Sequence, residues 1–368
     1  MKKLFYFAAA AVALAACAKN EVIPVNSGEN QEITFNVAPK TKADPQTFNT
    51  GNVFASWAYY LPKDKTWDAN WKEAVEYIGT EHVGSTISYV GNVWKDANTT
   101  YAWPHEGSLT FFAYSLNSNK LTDPSVAGGS FLYCEKFDAG TDNTKVDQYG
   151  ITGTIDLDAN KNVDFLVADI AFDKTANESK YNFNGVPTLF RHRLSKVKFA
   201  IKKKFDYPNT TITLNSITFN HLNHAMHYAQ FQKDKVTGKF QEVVVPSGTR
   251  TSQVYTASDV VVTSTTDHVA IADNEEVRYI YVPQVFKGVT GEDKIATIDV
   301  EYTVVQIIGT TTITKKYTKT LKVMDIFDSW EMGKKYTIKL TFTLDEILWA
   351  PAVEDWVDGT TAAEQIVA

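Results

Sequence analysis

Apolar residues along this chain recur at every second position far more often than at helical spacing. Ile33, Phe35 and Val37 alternate with Thr34 and Asn36, and Val197, Phe199 and Ile201 alternate with Lys196, Lys198 and Lys202. That pattern predicts strands with one buried and one wet face. Ile212, Leu214, Ile217 and Phe219 predict another strand, and 277–282, 295–308, 313–323 and 336–344 fill out the C-terminal half. Leu109-Thr110-Phe111-Phe112-Ala113-Tyr114, soon after a Trp103-Pro104 stop, is read as another strand. The Thr-rich and β-branched content of these segments suits a pleated surface. Helical spacing is confined to Trp67, Trp71, Ala74, Val75 and Ile78, and to a second stretch at 221–231. One polar stretch, 173–185, followed by Pro187, reads as a junction between domains. The expected fold is all-β: two antiparallel β-sandwich domains in tandem, 32–185 and 186–368, with few short helices.

The first residues follow a different rule. Lys2 and Lys3 precede an apolar run from Leu4 to Ala13, and Leu14-Ala15-Ala16-Cys17 closes it. A basic head, a short apolar core and small residues before a cleavage point form a secretory leader. Its terminal cysteine resembles a bacterial lipoprotein signal, in which that thiol receives diacylglycerol. Residues 1–16 are therefore expected to be removed and Cys17 to be lipidated. The polar segment 17–31 then acts as a flexible tether. No later stretch offers the roughly 18 apolar residues of a membrane helix. The formal charge of −7 becomes −9 once Lys2 and Lys3 are lost, which argues against nucleic acid as a partner. Cys134 is the one other cysteine, so neither an intrachain disulfide between free thiols nor a cysteine-rich metal site is expected.

Candidate chemistry is sparse. His221, His224 and His227 have a spacing that lets two ligands share a metal on a helix, but no acidic partner stands nearby and H-E-x-x-H is absent. They read as a packed or surface cluster. Asp156, Asp158 and Asn160 imitate the opening of a calcium loop, yet Lys161 and Val167 occupy the positions where such a loop needs Gly and Glu. An Asx-rich turn fits better. There is no G-x-S-x-G, phosphate loop or dinucleotide turn. His192, between Arg191 and Arg193, is a base without a nucleophile in any local motif. A glycosidase carboxylate pair meets only in the fold and leaves no local sequence signature. The eight tryptophans are read as core or interface residues rather than a sugar platform. No enzyme activity, cofactor or metal is expected.

Several phrases, in order, resemble the fimbrillin (Mfa-like, type V pilin) family of Bacteroidales surface lipoproteins. After Cys17 come Glu32-Ile-Thr-Phe-Asn-Val37 and Thr41-Lys42-Ala43-Asp44. Then follow Tyr101-Ala-Trp-Pro104, Leu109-Thr-Phe-Phe-Ala-Tyr-Ser115, Val163-Asp-Phe-Leu-Val-Ala168 and Phe190-Arg-His-Arg-Leu-Ser-Lys-Val197. Tyr281-Val-Pro-Gln284, Trp330-Glu-Met-Gly-Lys-Lys-Tyr336 and Val353-Glu-Asp-Trp356 complete the series.

The resemblance implies transthyretin-like sandwiches and a structural role as a stalk, tip or anchor subunit. Such a subunit is made as an outer-membrane lipoprotein, exposed at the surface, and passes into a fimbrium after processing. Ile33, Phe35 and Val37 would form a removable strand, freed by cleavage at Lys40 or Lys42, where the family commonly has Arg. Its place would be taken by a strand from another subunit. The terminal segment with Ile347, Trp349 and Val353 on one parity is the donor-type strand, although Pro351 on that parity limits donation. The alternative is a surface lipoprotein that binds a glycan or host protein and never polymerises.

Overall fold

The computed structural model describes residues 31–37, 49–80, 83–116, 121, 133–137, 148–157, 164–176, 185–233, 240–256, 258–271 and 279–356. Cys17, Lys40 and Lys42 lie outside the described residues, as do Asp158, Asn160 and Lys161.

In chain order the strands begin with β1 (Phe35–Val37), β2 (Phe54–Leu61), β3 (Val75–Ile78), β4 (Ser85–Val90), β5 (Val93–Asp96) and β6 (Ser108–Ser115). Next come β7 (Tyr133–Phe137), β8 (Gln148–Asp156), β9 (Leu166–Ala168), β10 (Ala171–Lys174), β11 (Val186–Thr188) and β12 (Phe190–His192). The second half holds β13 (Ser195–Lys203), β14 (Thr210–Lys233), β15 (Phe240–Thr256), β16 (Val260–Val261), β17 (Val269–Ala270) and β18 (Ile280–Tyr281). The last are β19 (Gln284–Val285), β20 (Thr297–Ile308), β21 (Thr311–Lys322), β22 (Ser329–Trp330), β23 (Lys334–Phe342) and β24 (Ile347–Asp355). The chain is all-β.

A first sheet has the order β11-β1-β5-β4-β2-β6-β9-β12, with β3 attached to β2 and β10 to β6. Its central strands, β2 and β6, are buried on both faces, which is why FASWAYYL and SLTFFAYS are mostly apolar with a few small hydroxyl residues instead of alternating strictly. A second sheet runs β21-β20-β14-β8-β7 with β15 and β16 on β14, and a third runs β17-β13-β23-β24 with β18 on β13. Val197, Phe199, Ile338 and Leu340 of the third sheet share one core with Ile212, Leu214, Val300 and Tyr302 of the second. Trp57, Tyr59 and Phe112 of the first sheet share another with Ile151, Ile155, Met226 and Tyr228. The 24-residue strand β14 thus serves both cores.

Two helical expectations change. Residues 221–231 lie inside β14, where register shifts fall between Phe219 and Leu222 and between Asn223 and Ala225. A bulge inserts an extra residue and turns a period of two into a spacing of three, which imitates a helix in the sequence. In the other case, α1 (Trp67–Asn70) and a 3-10 turn at Trp71–Glu73 bury the two tryptophans. Ala74 is already extended, and Val75–Ile78 leaves as β3 to pair with β2. Valine and the aromatic Tyr77 prefer that ladder to another helical turn.

The sheets do not part at 173–187. β11 and β12 belong to the first sheet, and the change of sheet falls between His192 and Ser195. Strand β8, earlier in the chain than the polar stretch, pairs antiparallel with β14 from Asp156↔Ala225 to Thr152↔Ala229. Val186 is buried and finds its ladder on Phe35, so its backbone groups are satisfied in the first sheet.

Candidate functional site

The strand β1 sits inside the first sheet without a sequence neighbour on either side. It pairs parallel with β11 (Phe35↔Val186, Asn36↔Pro187, Val37↔Thr188) and antiparallel with β5 (Phe35↔Trp94). The segment just before it is bonded too: the Ile33 amide donates to Tyr101 O at 2.7 Å, and the Trp103 amide donates to Gln31 O at 3.0 Å. Lys95 Nζ lies 3.0 Å from Glu32 Oε1. Ile33 and Phe35 are 3% and 4% exposed, so this stretch is core, not cover. The Phe35 ring meets Phe54 at 5.4 Å and Phe111 at 5.8 Å, both edge-on, a favoured aromatic geometry. Val37 is half-buried against the same cluster.

The wall opposite β5 contains a position that requires glycine. Gly185 has φ +120°, and a Cβ there would lie 2.7 Å from Thr34 O. No side chain permits this approach of backbone to strand. Beside it opens a cleft of about 260 Å³ lined in part by Glu32, Thr34, Trp103, Lys174 and Pro187. The alternating residues Ile33, Phe35 and Val37, which lead into and form β1, were legible in the sequence. The walls, β5 and β11, were not; Gly185-Val186-Pro187 read as punctuation because turn residues also mark the place where one backbone crowds another.

At the other end of the chain β24 pairs antiparallel with β23 over nine residues, from Ile347↔Phe342 to Asp355↔Lys334. It is the last strand of the third sheet. Ile347 is buried and Trp349 half-buried, whereas Val353 is 54% exposed. Pro351 sits within it and is tolerated because proline's missing donor does no harm on an open edge.

Residues 191–193 and Trp356 tie these regions together. Arg191 makes a two-point contact with Asp169, Nε–Oδ1 and Nη2–Oδ2 both 2.6 Å, and this hydrogen bonding raises the arginine pKa further. His192 Nδ1 stands 2.8 Å from Asp164 Oδ2. The His192 ring stacks on Trp356 at 3.8 Å with an 8° interplanar angle. Lys196 Nζ lies 5.8 Å from the Trp356 ring centroid, and the Trp356 amide donates to Gly333 O. Arg193 Nη2 is 2.6 Å from Glu242 Oε1, and the Tyr228 hydroxyl donates to the same oxygen at 2.9 Å. Burial raises the Tyr228 pKa above its ordinary value. His192, the one base that the sequence suggested, is therefore sealed beneath a tryptophan and serves packing.

The other candidates separate in the same way. His221 Nδ1 meets Ile295 O at 3.0 Å, His224 Nδ1 meets Asp156 Oδ1 at 2.8 Å, and His227 is exposed. Among the described residues no three His, Cys, Asp or Glu side chains converge as a metal site. Seven tryptophans are buried and Trp349 is half-buried, so none offers an open stacking platform. No helix among the described residues is long and apolar enough to cross a membrane.

The fold and this site define a class: an all-β protein whose most distinctive feature is a strand-filled slot. A fimbrillin-like (Mfa-like) family model matches residues 41–356, and the chain belongs to that family. Among solved structures, a fimbrial protein from Bacteroides vulgatus ATCC 8482 is 17% identical with a TM-score of 0.62, covering 89% of this chain and 100% of its own. That likeness supports the all-β fold. A candidate cell adhesion protein from Bacteroides uniformis ATCC 8492 is 16% identical, with a TM-score of 0.48 and coverage of 89% and 99%. No curated protein matches the chain.

Proposed function

We propose that this protein is a non-enzymatic structural subunit of a fimbria. In this reading it is made as a surface lipoprotein precursor held to the outer membrane through Cys17. A cut at Lys40 or Lys42 then separates the Ile33–Phe35–Val37 strand from the rest of the chain. The observation that carries the reading is the place of β1: a three-residue strand between β5 and β11, with Phe35 buried in it, Ile33 buried just before it, and no covalent neighbour in either flanking strand. Its loss opens a slot lined by Phe54, Trp94 and Phe111 and leaves two strand edges unpaired. An extended strand from another subunit then refills the slot, with backbone bonds giving affinity and alternate side chains giving register. Ile33 and Phe35, each worth roughly 1.5–3 kcal/mol on burial, hold the old strand until a donor displaces it. The family match begins at residue 41, between the two lysines, and Pro39 and Pro45 flank them in the sequence.

The donor role falls to the C-terminal end, with Ile347, Trp349 and Val353 on one parity. Donation by β24 requires that it first leave β23.

The test replaces both Lys40 and Lys42 with Gln in the full precursor and adds a trypsin-like protease. The precursor is expected to remain folded and to take up a fatty-acid label at Cys17, but to lose the high-molecular-weight ladders that the unaltered protein forms on denaturing gels. Ladders at the unaltered level would place the cut elsewhere or make it unnecessary. A protein that never forms ladders but binds glycan or host surfaces would favour the non-polymerising role.

A further inference from the structure

We infer that the outer edge of β21 is a docking edge for an extended, acidic polypeptide segment, separate from the β1 slot. The argument begins with how the long open edges of the molecule are guarded. A regular unpaired edge is a template for another strand, and proteins blunt it with proline, bulges or charge. β24 carries Pro351, and β15 carries Pro246 and faces β14 through four register shifts. β21 has neither. It pairs with β20 without a break from Ile308↔Thr311 to Thr297↔Lys322, and no strand is found on its other side among the described residues.

Its backbone polarity follows from the turn. Gly309 and Thr310 alone join β20 to β21, and Gly309 has φ +62°, as a two-residue hairpin turn with glycine first requires. The closing pair Ile308↔Thr311 exchanges main-chain bonds, so the odd-numbered residues of β21 face β20 with their backbone groups. The even-numbered residues, Thr312 to Lys322, aim theirs at the open edge. The unbroken register carries this parity through all 12 residues.

Charge then selects the partner. In a chain of net charge −7, β21 contains four lysines, Lys315, Lys316, Lys319 and Lys322, and no Asp or Glu. Lys315 and Lys319 project from one face and Lys316 and Lys322 from the other, since successive side chains alternate. None of the four makes an ion pair among the described residues. The nearest acids on β20 are already engaged: Asp299 by Thr320 and Asn220, and Glu301 by Ser216. A neutral or basic strand approaching this edge leaves lysines facing nothing or facing like charge. An acidic strand satisfies both the outward backbone groups and the lysines on each face.

The experiment uses the full chain and a capped peptide of Thr-Thr-Glu-Glu repeats as long as β21, with the Thr-Thr-Lys-Lys peptide as control. Amide hydrogen exchange is read by residue. The glutamate peptide is expected to slow exchange at Thr312, Thr314, Lys316, Thr318 and Thr320, and the lysine peptide is not. Thr318→Pro removes an outward donor while leaving the β20 ladder intact, and is expected to abolish the protection. Should that variant also lose protection at Tyr317 and Lys319, showing a melted hairpin, the Lys316→Glu, Lys319→Glu double variant decides. It is expected to weaken the glutamate peptide roughly tenfold and to admit the lysine peptide. Equal protection by both peptides, protection confined to the β1 slot, or no protection at millimolar peptide would overturn the inference.

Discussion

The two outermost strands of the described chain are built in opposite ways. β1 has three residues, lies between two other strands, and is anchored by Phe35 within it and Ile33 just before it, both almost wholly withdrawn from water. β24 has nine residues and a single neighbour, and from Ala350 to Asp355 every residue is exposed. Length therefore predicts the wrong one as essential. Removing β1 uncovers a core and splits a sheet, whereas removing β24 shortens a sheet by its last member. The first end of the chain has the character of a plug and the last that of a flap, pinned near its tip by Trp356. A polymer formed by strand exchange needs both: a deep slot at one end and a strand at the other that leaves at low cost.

The largest effect expected from breaking this contrast is at Phe35. Phe35→Ala should lower unfolding stability by about 3–5 kcal/mol, read as a shift in denaturant midpoint without change of slope. It should also speed ladder formation in the processed protein, because the old strand holds less tightly. A cost no greater than that of an exposed valine would show that β1 is not part of the core.

Next comes Trp356→Ala, expected to cost about 3 kcal/mol and to raise amide exchange along β24 before that of β23. Uniform loss of protection across both strands would mean that Trp356 is general packing rather than the pin of the flap.

A smaller effect concerns alkaline pH and tells the two cores apart. Burial pushes the Tyr114 hydroxyl up to about 12, and Tyr302 also rises to about 12 through burial and its neighbours Tyr317, Asp345 and Glu346. Because the folded pKa is the higher one, the unfolded chain releases these protons first. The contribution is complete below pH 10 and is lost as pH climbs from 10 to 12. For Tyr114 the loss is about 1.4 kcal/mol by pH 11. Tyr114→Phe should flatten that limb by this amount without harming the β20–β21 region. Tyr302→Phe should flatten it too, and should not destabilise at neutral pH, since the Tyr302 hydroxyl is buried without a hydrogen-bond partner.

The smallest effect is Val353→Ala, expected within about 0.5 kcal/mol. A much larger loss would mean that β24 is covered by something outside the described residues, and the flap description would fail.

Much of this architecture was legible in residue order. Alternation located β13, β20, β21 and β23 nearly to their ends, because each has one face in a core and one in water, and a two-residue period records that directly. The segment Leu109–Tyr114 hid its pairing partners, since a strand buried on both faces leaves no parity to read. At Phe219–Ala225 the bulges of β14 erased parity and suggested a helix. At 173–187 polarity was genuine but marked the approach of Gly185 to Thr34 rather than a gap between sheets.

By itself the sequence determined the all-β class, the alternating triplet Ile33, Phe35 and Val37, the terminal parity of Ile347, Trp349 and Val353, and the scarcity of catalytic motifs. These depend on local period and on residue chemistry. Only the tertiary structure decided that β1 is an internal strand, that β8 crosses to β14, and that His192 is closed over by Trp356. Each is a pairing between residues far apart in the chain, and pattern along a chain says which face is apolar but not which distant strand it will meet.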